Sequence, residues 1–172
     1  KIFVAYEEAA FGTAMFGATQ ALYADWVVPE GEPFKSAALG GGDYSAVLHH
    51  AKEANPDVFI WVGYEADAMP IMEQAKAIGF APPFFVGTPP GWPADFAQSP
   101  LSNNVAFYSL WIPTINEVSK ASKNFFNGFV DMWGEEPVNY CAPLGYTNVY
   151  ITTEAIKRAG TLDKEALIKA LE

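Results

Sequence analysis

The sequence predicts an α/β fold, a parallel sheet with helices on both faces. Three observations carry this prediction. Short apolar runs alternate with amphipathic segments from Lys1 to about Trp111. The run Val58-Phe59-Ile60-Trp61-Val62 is apolar throughout, with Asn55-Pro56-Asp57 before it and Gly63 after it. Behind it, Ala68, Ile71, Met72 and Ala75 fall on one helical stripe. A strand without alternation is buried on both faces, as parallel strands are, and parallel neighbours are joined by right-handed helical crossovers.

Taken in order, Lys1-Ile2-Phe3-Val4-Ala5-Tyr6 reads as a strand and Glu7 to Gly12 as a loop. Phe11, Met15, Ala18, Leu22 and Trp26 recur at steps of three and four, predicting a helix over about Gly12 to Trp26. A weaker strand lies around Pro33 to Leu39, diluted by Lys35 and Ser36, and Gly40-Gly41-Gly42 breaks the chain. Asp43 caps a helix bearing Tyr44, Val47, Leu48 and Ala51. After the Val58 strand, Asp67 suits the cap of the next helix, Pro70 is tolerated early, and Gly79 suits the residue past its end. Pro83 to Gly87 and Val105 to Trp111 read as further strands, with Pro113 as a stop. From Ser119 the period is helical. Ala121, Phe125, Phe126, Phe129, Met132 and Trp133 form one stripe ended by Gly134, Tyr146 to Ile156 trace a second helix to Gly160, and Asp163 caps a third. These helices have no strands of their own, so they either cover the sheet or belong to a neighbouring lobe. The boundary candidate is Trp111-Ile112-Pro113-Thr114.

Composition narrows the function. The chain is 172 residues long, 51% hydrophobic and 15% aromatic, enough to bury a core and unlike a disordered segment. A net charge of −10 with only 10 Lys and Arg argues against nucleic acid as a partner. No run suits a membrane span. One Cys excludes an internal disulfide or a multi-cysteine metal site. Lys1 in place of Met, starting directly on a strand, reads as a processed or cut N-terminus.

Catalytic and cofactor signatures are absent: no nucleophile elbow, no H-E-x-x-H, no phosphate-binding loop with its lysine. Gly40-Gly41-Gly42-Asp43 lacks that lysine, and Asp43 would repel an anion. His49 and His50 are adjacent, so on a helix they point about 100° apart and cannot share a metal; both read as solvated. Cys141 reads as a small buried residue, and Glu7-Glu8 as solvated carboxylates. No cofactor and no metal are expected, and the chain does not read as an enzyme. What stands out is aromatic and glycine residues just beyond the strands: Phe11-Gly12, Gly63-Tyr64-Glu65, and Thr88 to Trp92. All open on one edge of a parallel sheet, where helix-start amides can bind a carboxylate and flat rings can bury an apolar ligand body.

Over nearly its whole length the chain resembles the periplasmic solute-binding proteins of ABC transporters, of the branched-chain amino acid type. Lys1 to Gly12 is similar to the strand and aromatic-glycine turn that begin the second lobe. Asp43-Tyr44-Ser45 and Lys52-Glu53-Ala54-Asn55-Pro56-Asp57 resemble the family's aspartate-aromatic-serine helix and its lead into the next strand. Gln74-Ala75-Lys76-Ala77-Ile78-Gly79, Phe129 to Pro137, Tyr146 to Gly160, Leu162-Asp163 and Ala166-Leu167 also match.

The resemblance implies a type I periplasmic-binding fold, two lobes closing on a small ligand. Residues 1–110 would be the second lobe, and 111–172 the hinge crossing with helices packing on the first, part of which lies outside these 172 residues. It implies ligand contacts at Phe11, Gly12, Tyr64, Glu65, Thr88 and Trp92, a membrane permease as partner, a monomer at full length, and a periplasmic or extracellular location, lipid-anchored in a Gram-positive. Amino acid binders of the family carry an acidic residue in the last loop, and Thr88-Pro89-Pro90-Gly91-Trp92 has none. The ligand expected is a small amino acid or a carboxylate with an aliphatic or aromatic body; a buried ammonium without a counter-charge is costly, so the carboxylate is favoured unless Glu65, Glu8 or the first lobe supplies the charge. The alternative is a ligand-sensing domain of a receptor or an amide- or amino-acid-responsive regulator of the same fold.

Overall fold

The apolar runs pair side by side into one five-stranded sheet in the order β2-β1-β3-β4-β5. In this computed structural model, which describes residues 1–28, 31–88, 96 and 98–172, the strands are β1 (Ile2–Glu7), β2 (Glu32–Phe34), β3 (Val58–Val62), β4 (Phe84–Gly87) and β5 (Val105–Phe107). Every neighbouring pair is parallel, and one row across the sheet runs Val4, Ile60, Val86, Ala106. The crossovers are α1 (Ala10–Tyr23), α2 (Ser45–Ala54) and α3 (Glu65–Ala77). The chain divides into two compact units, Lys1–Ser109, which holds the sheet, and Leu110–Glu172.

Strand alternation splits the sheet unit's core into two layers. Phe3, Ala5, Phe59, Trp61 and Phe85 pack with Val47, Leu48 and Ala51 of α2 and Ala68, Ile71, Met72 and Ala75 of α3. Phe59 meets Phe80 and Phe85 edge-on at 5.3 and 5.7 Å. On the other face Val4, Val27 and Val62 pack with Ile60, Tyr6, Phe11 and Phe16, the last two from α1. Helices therefore lie on both faces of a parallel sheet.

Several elements differ from expectation. α1 runs Ala10–Tyr23, and the stripe Met15, Leu22, Trp26 is exposed; the helix instead seats Gly12 against β1 and stacks Phe16 on Tyr6 at 4.6 Å. β2 stops at Phe34, and Ala37–Leu39 is a 3-10 turn. β5 ends at Phe107, level with Gly87 at the end of β4, its neighbour among the described residues; Tyr108 adds one last bond to the Gly87 carbonyl at 3.2 Å. Tyr44, not Asp43, occupies the cap position of α2, while Asp43 accepts from the Ser45 amide (2.9 Å) and hydroxyl (2.6 Å).

In the second unit a 3-10 turn at Pro113–Glu117 leads to α4 (Lys120–Trp133), α5 (Cys141–Ala159) and α6 (Lys164–Leu171). Ser119 and Asp163 cap α4 and α6, and Gly134 and Gly160 end α4 and α5 in the left-handed conformation at φ 74° and 65°. Trp111 packs edge-on against Phe125 at 5.8 Å, and its indole N–H donates to the Ser122 hydroxyl at 2.7 Å. Cys141 is exposed, contrary to expectation; it opens α5, where the Asn139 side chain accepts from its amide at 2.8 Å.

Candidate ligand-binding site

The strand order creates one place where two loops diverge. β1 and β3 are neighbours, yet the chain leaves β1 through α1 on one face toward β2 and leaves β3 through α3 on the other toward β4. The carboxyl ends of such a pair open a crevice, the usual ligand position in open α/β sheets. Two rings meet there. Phe11, in the first turn of α1, and Tyr64, at the cap of α3, lie 5.9 Å apart at 40°, and both are half-buried.

Each ring sits beside a buried carboxylate. Glu7, expected to be solvated, is fully buried at the end of β1; its two oxygens accept from the amides of Ala9 (2.7 Å) and Gly12 (2.6 Å). Engagement by two amides offsets the cost of burying the charge. Glu8 is exposed. Asp67 is also fully buried, and it is the third residue of α3 rather than its cap. One oxygen accepts from the Tyr44 hydroxyl (2.6 Å) and the Ala37 amide (2.6 Å), the other from the Tyr64 amide (2.9 Å), and the Ser36 hydroxyl reaches both at 2.9 and 2.8 Å. Burial, and then the bond to Asp67, push the Tyr44 phenol well above its ordinary pKa, so it stays a donor.

These bonds change the chemistry of the edge. The amides of Ala9, Gly12 and Tyr64 at the starts of α1 and α3 are already engaged, so they are not offered to a ligand carboxylate. Gly12 is buried, and a Cβ there would lie 2.1 Å from the Glu7 carbonyl oxygen; its part is the close approach that brings Phe11 to the crevice. Thr88 is buried at the end of β4, its amide and hydroxyl both donating to the Trp61 carbonyl at 3.1 and 3.3 Å. Glu65 is half-buried in the first turn of α3 and makes no hydrogen bond or ion pair among the described residues. Trp92 lies outside the described residues. Sequence reasoning missed Glu7, Ser36 and Tyr44 as parts of this edge. The available signal was the period of two, which places Glu7 on the same side of β1 as the buried Phe3 and Ala5.

A family model described as periplasmic binding protein matches residues 1–172. The chain belongs to the periplasmic binding protein family. Its fold is similar to that of the leucine binding protein LivK from Thermotoga maritima, at a TM-score of 0.84 and 22% identity over 99% of this chain and 48% of that one. It is also similar to the branched-chain amino acid substrate binding protein LivJ from Streptococcus pneumoniae in complex with isoleucine (0.77, 24%, 99% and 47%). A third likeness is to a solute binding protein of an ABC transporter from Rhodopseudomonas palustris in complex with 3,4-dihydroxybenzoic acid (0.75, 19%, 98% and 47%). This binding-protein chain thus spans about half the length of the solved structures it matches.

Proposed function

We propose that the protein is the extracytoplasmic solute-binding component of an ABC transporter, a monomer that captures a small carboxylate with an apolar, aromatic body and delivers it to a membrane permease. In this reading residues 1–110 form the second lobe, residues 111–172 the hinge crossing and the helices that pack on the first, and the ligand stabilises the closed state that the permease recognises. The observation that carries the reading is the pairing of Phe11 and Tyr64 at the carboxyl edge between β1 and β3. Half-buried rings offer flat apolar area to a ligand body. Because the nearby amides of Ala9, Gly12 and Tyr64 are engaged by Glu7 and Asp67, the ligand's own carboxylate is held by other groups. Two structures of the same fold hold isoleucine and 3,4-dihydroxybenzoic acid, both small carboxylic acids, which is in keeping with this reading. Glu65, half-buried in the first turn of α3, is the candidate at this edge to meet a ligand cation, with Glu8 or a first-lobe residue as the alternatives.

The test is a thermal-shift titration of the full-length protein with L-leucine, L-phenylalanine and 3,4-dihydroxybenzoate. A ligand at a hundred times its Kd stabilises by about 2.7 kcal/mol, a readily measured rise in Tm. The aromatic acid is expected to give the largest rise, and Tyr64→Ala to weaken its binding about tenfold. A rise with leucine alone overturns the preference for an aromatic acid; a rise with amino acids that Glu65→Gln abolishes assigns the counter-charge to Glu65. No rise with any of the three rejects this ligand class.

A further inference from the structure

The two rings of the crevice come from different helices, yet a fully buried carboxylate holds the backbone beside each. Phe11 lies between Ala9 and Gly12, whose amides both converge on the Glu7 carboxylate at 2.7 and 2.6 Å. Tyr64 donates its own amide to Asp67 at 2.9 Å, and that carboxylate is in turn held by Ser36, Ala37 and Tyr44 from the segment between β2 and α2. Both carboxylates are fully buried. Among the described residues neither has an ion-pair partner, and the groups that hold them are backbone amides and hydroxyls. First-turn amides otherwise lack intrahelical acceptors and leave a helix start free to fray.

We infer that Glu7 and Asp67 are positioning residues for the ligand-binding wall, each fixing the loop that carries one ring so that Phe11 and Tyr64 are set at their mutual distance before any ligand arrives. The inference rests on the reading of that wall as the ligand site. The chemistry requires an acceptor on both oxygens. A side-chain amide at either position turns an N–H₂ toward an N–H donor, so E7Q and D67N each lose a tether while keeping size. Holding two rings in advance removes their ordering cost from the binding step. Packing alone would stabilise the lobe without fixing the rings' mutual geometry.

The experiment reads the wall directly, without ligand, by NMR of the full-length protein, so its outcome is separate from whether any solute binds. In the wild type the amides of Gly12 and Tyr64 are expected to exchange with solvent at least tenfold more slowly than unbonded first-turn amides, and a ring-to-ring nuclear Overhauser effect should connect Phe11 with Tyr64. In D67N the Tyr64 amide is expected to exchange about tenfold faster and the ring-to-ring signal to fall several-fold, with β3 amides still protected. E7Q should do the same at Gly12 or at Ala9, whichever amide the N–H₂ faces. Tyr44→Phe, which removes one donor to Asp67 and leaves the Tyr64 bond in place, is expected to lower Tm while keeping the ring signal. Fast exchange of Gly12 and Tyr64 in the wild type overturns the inference, and this holds even if a variant fails to fold. An unchanged ring signal in folded E7Q and D67N overturns it equally.

Discussion

Gly63 shows how closely single residues are fitted at this edge. A Cβ at that position would lie 2.7 Å from an Asp67 carboxylate oxygen, 2.7 Å from the Trp61 ring and 3.0 Å from the Phe34 ring. Its φ is not positive, so crowding is the whole argument. Gly63→Ala is expected to cost about 2 kcal/mol, read as a lower urea midpoint at unchanged slope. Gly12→Ala meets a backbone oxygen at 2.1 Å, which moves only if β1 moves, and is expected to cost about 3 kcal/mol. A different residue-scale effect belongs to His50, whose imidazole is bonded to Glu32 on β2. That bond first, then the Glu32 and Glu53 charges, raise its pKa above 6.5. A raised folded pKa means the folded state holds the proton more tightly, so the stabilisation is fully present below pH 6.5 and is lost as pH rises through the folded value. Wild type should therefore exceed His50→Gln in Tm at pH 5.5, with the difference gone by about pH 9. An equal difference at both pH values would exclude the titration as its cause.

At the scale of elements, what could be read in advance depended on whether the determining contact was apolar. β3 and α3 were legible because five consecutive apolar residues and the stripe Ala68, Ile71, Met72, Ala75 are buried as their periods require. The helix over α1 was legible but its buried face was not. Besides Phe11, its contact is made by Gly12, which has no hydropathy to register, and by Phe16, which is off the stripe of Phe11, Met15 and Leu22. β2 and β5 were overlong in prediction because their lengths are set by partners. Among the described residues β2 pairs with Ala5, Tyr6 and Glu7 and contains Pro33, which has no N–H to donate; β5 pairs with β4 from Phe85 to Gly87. The same limit hid half of the candidate site. Phe11 and Tyr64 could be named from their positions after strands, whereas the burial of Glu7 and Asp67 follows from amides and hydroxyls brought in from Ala9 and Gly12 and from Ser36, Ala37 and Tyr44. In the helical unit the controlling element contact is Phe125, whose ring lies 5.8 Å from Trp111, 5.9 Å from Phe129 and 5.3 Å from Tyr146. Phe125→Ala should destabilise that unit by about 3 kcal/mol. With two units a single transition is not assured, so the measurement is the urea dependence of far-UV circular dichroism, where an early loss of helix is expected.

The whole molecule presents an uneven balance of apolar surface. The sheet unit buries most of its large side chains, while the helical unit buries Trp111, Phe125 and Ala155 and leaves Met132, Trp133, Tyr146, Val149 and Tyr150 exposed by 74, 65, 52, 68 and 57%. Scattered exposed apolar residues are ordinary, but Met132 and Trp133 end the stripe that predicted α4, whose Phe125 is buried, and Tyr146, Val149 and Tyr150 belong to the stripe that predicted α5. Helices acquire such stripes by burying them, so the exposed set suits contact with another surface. In the proposed architecture that surface is the first lobe. The consequence is measurable in the 172-residue chain by itself: it is expected to bind a hydrophobic dye and to associate with rising concentration, despite a net charge of −10 that opposes association. The triple variant W133S/V149T/Y150S changes side chains that are mostly in solvent, so it should leave the far-UV spectrum intact while removing most of the dye signal. Dye binding that survives the triple variant would locate the uncovered surface elsewhere, and the exposed residues of the sheet unit, Leu22, Trp26 and Phe84, are where it would then be sought.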